Sequence, residues 1–151
     1  MAEHIDRARR EIATLAGAPA RLRAIAVHHL RLFGGNRDLA VVFQVELRHS
    51  TRFLERFTAS WLQDYFALLA DVMEQGQRDG SVRSDLPRKV ATKAFFGALD
   101  EMVTSWILGR KDYYLAQLAD PVVDLFLNGA SPRKTKEARP ALAAVAGRGG
   151  R

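Results

Sequence analysis

The sequence has no cysteine among its 151 residues. This absence excludes disulfide bonds, zinc sites built from thiolates and a cysteine nucleophile. A chain without cysteine fits a reducing compartment, so the predicted location is the cytoplasm.

Long apolar runs are also missing, although 48% of the residues are hydrophobic. Charged residues interrupt every apolar stretch well before the roughly 18 consecutive apolar residues that a membrane-spanning helix needs. Residues 1–17 mix acidic and basic side chains and have no continuous apolar segment, so they do not resemble a signal peptide. We therefore expect one globular domain, with enough apolar content for a core and without a membrane partner.

Signatures of catalysis and of metal binding are absent as well. The sequence contains no nucleophile elbow, no P-loop and no dinucleotide-binding glycine pattern. His28 and His29 are adjacent, so on a helix their side chains diverge by about 100° and cannot hold one ion together. The adjacent carboxylates of Asp100 and Glu101 diverge for the same reason. We predict no metal site, no cofactor and no enzymatic activity.

The net charge of +6 is concentrated at the C-terminal end. Residues 131–151 contain one acid, Glu137, and six bases, which are Arg133, Lys134, Lys136, Arg139, Arg148 and Arg151. Their net charge of +5 leaves +1 for residues 1–130, which is too little for a surface that tracks phosphates. We predict a helical domain over residues 1–130 and a basic tail of disordered composition over residues 131–151. Contact between this tail and nucleic acid or an acidic protein is an open alternative.

The first 80 residues show apolar side chains at helical spacing. This pattern predicts one helix that ends at Gly34-Gly35-Asn36 and a second over about residues 37–49. A third and longest helix is predicted over about residues 51–79, where two adjacent apolar stripes indicate burial on more than one face.

The connection to the next helix has its own signals. Gly80 is suited to end the long helix in a left-handed conformation. Ser84 or Asp85, together with Pro87, is suited to begin the following helix, which is predicted over about residues 87–108.

The last predicted helix covers about residues 112–127. Pro121 lies inside its apolar pattern and should kink or restart it. Because no stretch shows the alternation expected of a strand, the predicted class is all-α, with about five to six helices.

The segment from Glu74 to Pro87 has a residue spacing found between two central helices of TetR-family ligand domains. In that family a glycine, three residues, a second glycine, an arginine three positions later and an acid precede the start of a helix. These places are filled here by Gly76, Gly80, Arg83, Asp85 and Pro87. The chain therefore resembles the C-terminal part of TetR-family regulators.

Two further stretches narrow the resemblance. Residues 45–50 (VELRHS) and 96–108 (FGALDEMVTSWIL) are similar to the acyl-CoA-responsive repressors of fatty-acid metabolism in that family. The resemblance covers about residues 1–130 and implies a TetR-type helical bundle that binds long-chain acyl-CoA as its effector and forms a homodimer. The alternative function is a helical dimerisation or interaction module without a small-molecule ligand.

Members of the family begin with a helix-turn-helix head, whose second helix enters the major groove of DNA. Residues 1–16 resemble only the end of the helix that follows such a head. We therefore expect this chain to lack the N-terminal helix-turn-helix and to contact DNA only through that head in a complete protein.

The resemblance also implies an apolar ligand pocket between the long helix and its neighbours. Its expected acyl-chain wall consists of Val42, Phe43, Phe57, Trp61, Tyr65, Phe95, Leu99 and Met102. The alternative is that these side chains simply form the core, as aromatic residues at helical spacing usually do. An empty apolar tunnel between the long helix and the Phe95 helix would favour sensing, and a filled one would favour the interaction module.

Arginines near the pocket mouth are expected to bind the phosphates of coenzyme A, because a guanidinium group can make bidentate contacts with phosphate. Arg48 and Arg52 are the predicted pair. Ion pairs with Glu46 and Glu55 are the alternative roles for these two side chains.

The family forms its dimer through its last two long helices, which pack as a four-helix bundle. The predicted interface comprises Gly97, Glu101, Thr104 and Ser105 of the penultimate helix and Leu115, Leu118, Val122 and Phe126 of the last one. Packing within one chain is the alternative use of the same faces.

Overall fold

The computed structural model describes residues 2–49, 59–109 and 113–129. These residues form six α-helices and a short 3-10 helix, and the described part of the chain contains no strand. The α-helices are α1 (Ala2–Ala13), α2 (Gly17–Gly34), α3 (Arg37–His49), α4 (Ala59–Asp79), α5 (Arg88–Leu108) and α6 (Ala119–Asn128). The 3-10 helix spans Leu115–Leu118. The all-α prediction is confirmed. None of these helices is both long enough and apolar enough to cross a membrane.

Helix α2 lies at the centre of the bundle, where it contacts every other described element. Its buried side chains are Ala18, Leu22, Ile25, Ala26, His29, Leu30 and Phe33. They follow the 3.6-residue period of a helix that is covered on several sides. The predicted stop at Gly34-Gly35-Asn36 is confirmed, since α2 ends at Gly34 and the Asn36 side chain accepts a hydrogen bond from the amide of Leu39 at the start of α3.

The turn after α4 explains why the segment from Glu74 to Pro87 has glycine at positions 76 and 80. Gly80 has φ +81°, the left-handed conformation predicted for it. Gly76 is needed for space, because a Cβ atom there would lie 2.6 Å from Cγ2 of Val82 and 2.8 Å from Cβ of Ala18. The chain folds back so closely that the amide of Val82 donates to the carbonyl of Gly76.

The prediction that Ser84 or Asp85 caps α5 is wrong. Pro87 is the N-cap residue and makes no side-chain capping bond. The carboxylate of Asp85 instead accepts both guanidinium bonds of Arg83, two residues earlier, and this pairing lowers the pKa of Asp85. Gln77 stabilises the loop by donating to the carbonyls of Leu86 (2.6 Å) and Arg83 (3.1 Å).

The predicted restart at Pro121 is confirmed. The chain forms the 3-10 helix first, and α6 begins at Ala119, so Pro121 lies in the first helical turn. Amides of a first turn have no partner within the helix, and the missing N–H of proline therefore costs nothing there.

Candidate ligand-binding site

A small chamber lies between α1, α2 and α4. Its wall consists of Ala8, Ile25, His28, His29, Leu32, Trp61, Tyr65 and Leu68. The volume of about 40 Å³ is enough for two or three waters but far below the several hundred Å³ of a typical ligand pocket. A long acyl chain therefore requires the chamber to widen.

Aromatic rings surround this chamber on the side of α3 and α5. Trp61 stacks on Tyr65 with ring centroids 5.5 Å apart, and Phe43 of α3 meets the Trp61 ring edge-to-face at 5.1 Å. On the other side, Phe96 of α5 lies 5.8 Å from Tyr65 and 5.9 Å from His29. The chamber is thus a partly polar gap beside an aromatic cluster.

Three buried side chains of the chamber wall have polar atoms without a hydrogen-bond partner among the described residues. These atoms are both ring nitrogens of His29, Nε1 of Trp61 and the hydroxyl oxygen of Tyr65. Burial lowers the pKa of His29 to about 3 and raises the pKa of Tyr65, with a smaller contribution from Asp100. Both groups are therefore uncharged at neutral pH.

A surface depression of about 310 Å³ adjoins the chamber and is lined by Arg7, Glu11, His28, Arg31 and Leu32. His28 and Leu32 belong to both walls. Nε2 of His28 lies 2.5 Å from Oε2 of Glu11, and Nε of Arg31 donates to the hydroxyl of Tyr114. Two guanidinium groups therefore stand at the mouth of the chamber.

A second depression, of about 420 Å³, lies between α4 and α5 and is more basic. Its wall contains Gln63, Phe66, Ala70, Arg88, Lys89, Thr92 and Lys93. The ammonium group of Lys93 stands 3.5 Å above the Phe66 ring, a cation–π contact, and Arg88 pairs with Glu74 at 2.7 Å. No wall residue is shared with the chamber.

The predicted acyl-chain wall is only partly assembled at the chamber. Trp61 and Tyr65 line it, and Phe43 contacts Trp61. Phe95 and Leu99 are fully buried elsewhere in the core, where Phe95 packs edge-to-face on Phe126, and Met102 is half-buried against that core. Val42 is half exposed on α3. Phe95 belongs neither to the wall of the chamber nor to that of the depression between α4 and α5.

Several predicted residues lie outside the described part. Phe57 and Arg52 belong to residues 50–58, and the side chain of Arg48 is likewise not described. The basic tail over residues 131–151 also lies outside the described residues.

The predicted dimer residues divide into outward and inward side chains. Gly97, Glu101 and Ser105 are exposed along one face of α5, where the Ser105 hydroxyl donates to Glu101. The hydroxyl of Thr104 instead donates within the chain to Gln44 and to the carbonyl of Asp100. The inward or half-buried positions of the last helices are Leu115, Leu118, Val122 and Phe126. The exposed residues of α5 thus include Gly97, Glu101 and Ser105, and Val90, Leu108 and Leu125 are exposed apolar side chains.

Sequence reasoning did not place His29, Arg7 and Arg31 at the chamber or beside it. His29 stood among the apolar positions of α2, and a polar residue at such a position was the available signal. No sequence feature marks Arg7 and Arg31, because only the packing of α1 against α2 brings them together beside the chamber. The described residues hold no cluster of three or more side chains suited to bind a metal ion.

Comparison with known proteins identifies relatives over most of the chain. The family model described as the C-terminal region of YsiA-like proteins, one of the TetR C-terminal models, matches residues 1–129. The fatty acid metabolism regulator protein of Bacillus subtilis (strain 168) is 30% identical over 129 residues. This match covers 85% of the chain and 66% of the relative, so the chain spans about two thirds of that protein's length.

Two solved structures have the same fold. The transcriptional regulator FadR from Bacillus subtilis, in complex with stearoyl-CoA, superposes with a TM-score of 0.79 at 29% identity. The fatty acid degradation regulator FadR from Bacillus halodurans superposes with a TM-score of 0.78 at 28% identity. Each comparison covers 86% of this chain and 70% of the other.

Proposed function

The chain belongs to the family of YsiA-like C-terminal regions of TetR-type regulators, and from this premise we propose that it is the ligand-sensing and dimerisation domain of a regulator of fatty-acid metabolism. The effector in this proposal is a long-chain acyl-CoA. A relative with this fold was solved in complex with stearoyl-CoA. In this proposal the chain binds its ligand and catalyses no reaction. A domain of such a regulator acts where the chromosome lies, so the proposal places it in the cytoplasm.

The observation that carries the proposal is the aromatic-walled chamber between α1, α2 and α4. Its side chains give an acyl chain apolar contacts, and the transfer of apolar surface out of water drives such binding. Because the chamber measures about 40 Å³, binding must select or create a wider arrangement of these helices.

In this proposal, helix α1 transmits the effect of ligand binding to the DNA-binding head. Ala8 of α1 forms part of the chamber wall, so widening the chamber moves α1 relative to α2 and α4. In a complete protein of this family, α1 continues from the helix-turn-helix head. An acyl-CoA that prefers the wide arrangement must then lose affinity when DNA holds the narrow one, since linkage is reciprocal.

Arginine side chains are proposed to bind the phosphates of coenzyme A. Arg7 and Arg31 support this assignment by their position at the mouth of the chamber. Arg48 and Arg52 remain the pair proposed from the sequence. Alanine variants of the two pairs, compared for their affinity for acyl-CoA, decide between the two mouths, because only the correct pair weakens binding of the acyl-CoA without affecting the fold.

Saturating long-chain acyl-CoA is expected to raise the melting temperature of the chain. A ligand that binds only the folded state at 100 times its Kd stabilises it by about 2.7 kcal/mol. Differential scanning fluorimetry with palmitoyl-CoA measures the shift, and coenzyme A without an acyl group is the control ligand. Absence of a shift with every acyl-CoA would leave the interaction module, without a small-molecule ligand, as the function.

A homodimer is part of the same proposal, formed through the exposed face of α5. Replacing Gly97 by arginine is expected to convert the dimer into monomers, because the small residue permits close approach of a second copy. The single chain tolerates the change, since a Cβ atom at Gly97 meets nothing within 4 Å. Sedimentation velocity measures the assembly, and circular dichroism checks the helix content.

The matched control is Ala13→Arg, which adds the same charge at an exposed position of α1. It should leave the dimer intact. A wild-type chain that sediments as a monomer at micromolar concentration, or a Gly97→Arg variant that remains a dimer, contradicts the assignment of this face.

A further inference from the structure

Three side chains with polar groups line the chamber, and each of them is more than nine-tenths buried. The exposed fractions are 3% for His29, 5% for Trp61 and 7% for Tyr65. Their rings are neighbours, with Tyr65 lying 5.5 Å from Trp61 and 5.6 Å from His29 between centroids. All three side chains belong to the wall of the same chamber.

These groups have no hydrogen-bond partner among the described residues. Leaving a buried donor or acceptor without a partner costs about 1–3 kcal/mol, whereas an apolar side chain of similar shape would avoid that cost. A molecule held in the chamber can supply partners to these groups, because all three side chains line it. The volume of about 40 Å³ has room for water as well as for one polar group of a ligand.

The chemistry of the three groups selects the kind of atom that they bind. The Trp61 indole is a donor only, and the Tyr65 hydroxyl and a neutral imidazole can each donate one hydrogen bond. No lysine or arginine lines the chamber, and His28, the other basic residue of the wall, pairs with Glu11. Neutral donors suit an uncharged acceptor oxygen better than a carboxylate, because removing a charged group from water costs far more.

Resting on the proposed function, we propose that His29, Trp61 and Tyr65 form a polar subsite that binds an uncharged oxygen of the acyl ligand. The oxygen is either the thioester carbonyl or a hydroxyl or oxo group on the acyl chain. If the oxygen is the thioester carbonyl, the subsite distinguishes acyl thioesters from free fatty acids, which carry a carboxylate at neutral pH.

Titration calorimetry with a set of related ligands tests this subsite. The probes are palmitoyl-CoA, its thioether analogue S-hexadecyl-CoA, 3-hydroxypalmitoyl-CoA and free palmitate. We expect the thioether, which lacks the carbonyl, to bind about tenfold more weakly than palmitoyl-CoA, because one or two hydrogen bonds are lost. If the thioether matches palmitoyl-CoA while the 3-hydroxy compound binds more tightly, the oxygen lies on the chain and the subsite is supported.

Tyr65→Phe is the matched variant, since it removes only the hydroxyl and keeps the ring in the cluster. It is expected to weaken palmitoyl-CoA about threefold or more and to change the affinity for S-hexadecyl-CoA less than twofold. The control is Tyr113→Phe, which removes a phenol from an exposed position outside the chamber wall and should change neither affinity.

The melting temperature of the ligand-free chain separates binding from structure. Because the Tyr65 hydroxyl has no partner among the described residues, Tyr65→Phe should leave that temperature unchanged or raise it. A fall of several degrees would assign the hydroxyl a structural role and overturn the subsite. Equal binding of palmitoyl-CoA, the thioether and the 3-hydroxy compound would overturn the subsite and leave the acyl-CoA sensor intact. A chain that binds none of the CoA ligands would overturn the sensor and, with it, the subsite.

Discussion

Replacement of Phe95 by alanine is expected to lower the free energy of unfolding by about 3–5 kcal/mol. The Phe95 side chain is fully buried in α5 and packs edge-to-face on Phe126 of α6, with ring centroids 5.0 Å apart. Removing the ring loses its apolar burial and leaves a cavity that a bundle of packed helices cannot fully close. Urea unfolding followed by circular dichroism measures the loss.

The same variant decides whether Phe95 belongs to the core or to the acyl-chain wall. Since Phe95 does not line the chamber, the affinity of the folded variant for palmitoyl-CoA should change less than threefold. Val42→Ala is the matched control, because Val42 was assigned to the same wall by sequence but is half exposed, so its loss should cost less than about 0.5 kcal/mol. A Phe95→Ala variant that keeps its stability and loses ligand affinity tenfold would restore Phe95 to the wall.

Helix ends were predictable where a single residue decides the backbone conformation. Gly80 ends α4 at φ +81°, and Pro121 marks the restart of the last helix, as their residue types require. The cap of α5 was not predictable in this way, because the carboxylate of Asp85 had two possible partners. The carboxylate pairs with Arg83, whose guanidinium binds both carboxylate oxygens, and not with the backbone amides at the start of the helix.

The ligand site was predictable only in part, because periodicity shows which face of a helix is buried but not what lies opposite. Trp61 and Phe95 share the same pattern of aromatic residues at helical spacing. In the folded chain Trp61 borders a chamber, whereas Phe95 meets Phe126 in solid core. The difference depends on how α1 and α6 pack against the bundle, and no local sequence feature carries that information.

His29 illustrates the same limit for polar groups. Its position among the apolar residues of α2 predicts burial, which the structure confirms. The lack of a hydrogen-bond partner within the described residues depends on its neighbours from α4 and α5, which are aromatic rings at 5.6 and 5.9 Å. Burial without a partner then makes this histidine sensitive to pH.

Lowering the pH from 7 to 4.5 is expected to destabilise the chain by about 2.5 kcal/mol through His29 alone. Burial lowers the pKa of His29 from 6.5 to about 3, so the folded chain keeps the imidazole neutral while the unfolded chain binds a proton below pH 6.5. The contribution of the neutral imidazole is therefore fully present above pH 6.5 and is lost progressively as the pH falls toward 3. A loss of this size is a large part of the 5–15 kcal/mol that typically stabilises a domain.

His29→Leu removes the titrating group and should remove this part of the pH dependence, because leucine is neutral at both pH values. Urea unfolding of the parent and the variant at pH 7 and pH 4.5 gives the four free energies that are needed. Leu30→Ala is the matched control in α2, since it opens a cavity at a fully buried, non-titrating position and should lower stability equally at both pH values. If His29→Leu loses as much stability as the parent on acidification, the folded chain protonates the imidazole as readily as the unfolded chain does. His29 is then not the buried imidazole without a partner from which the subsite is argued, so this measurement bears on the subsite without any ligand.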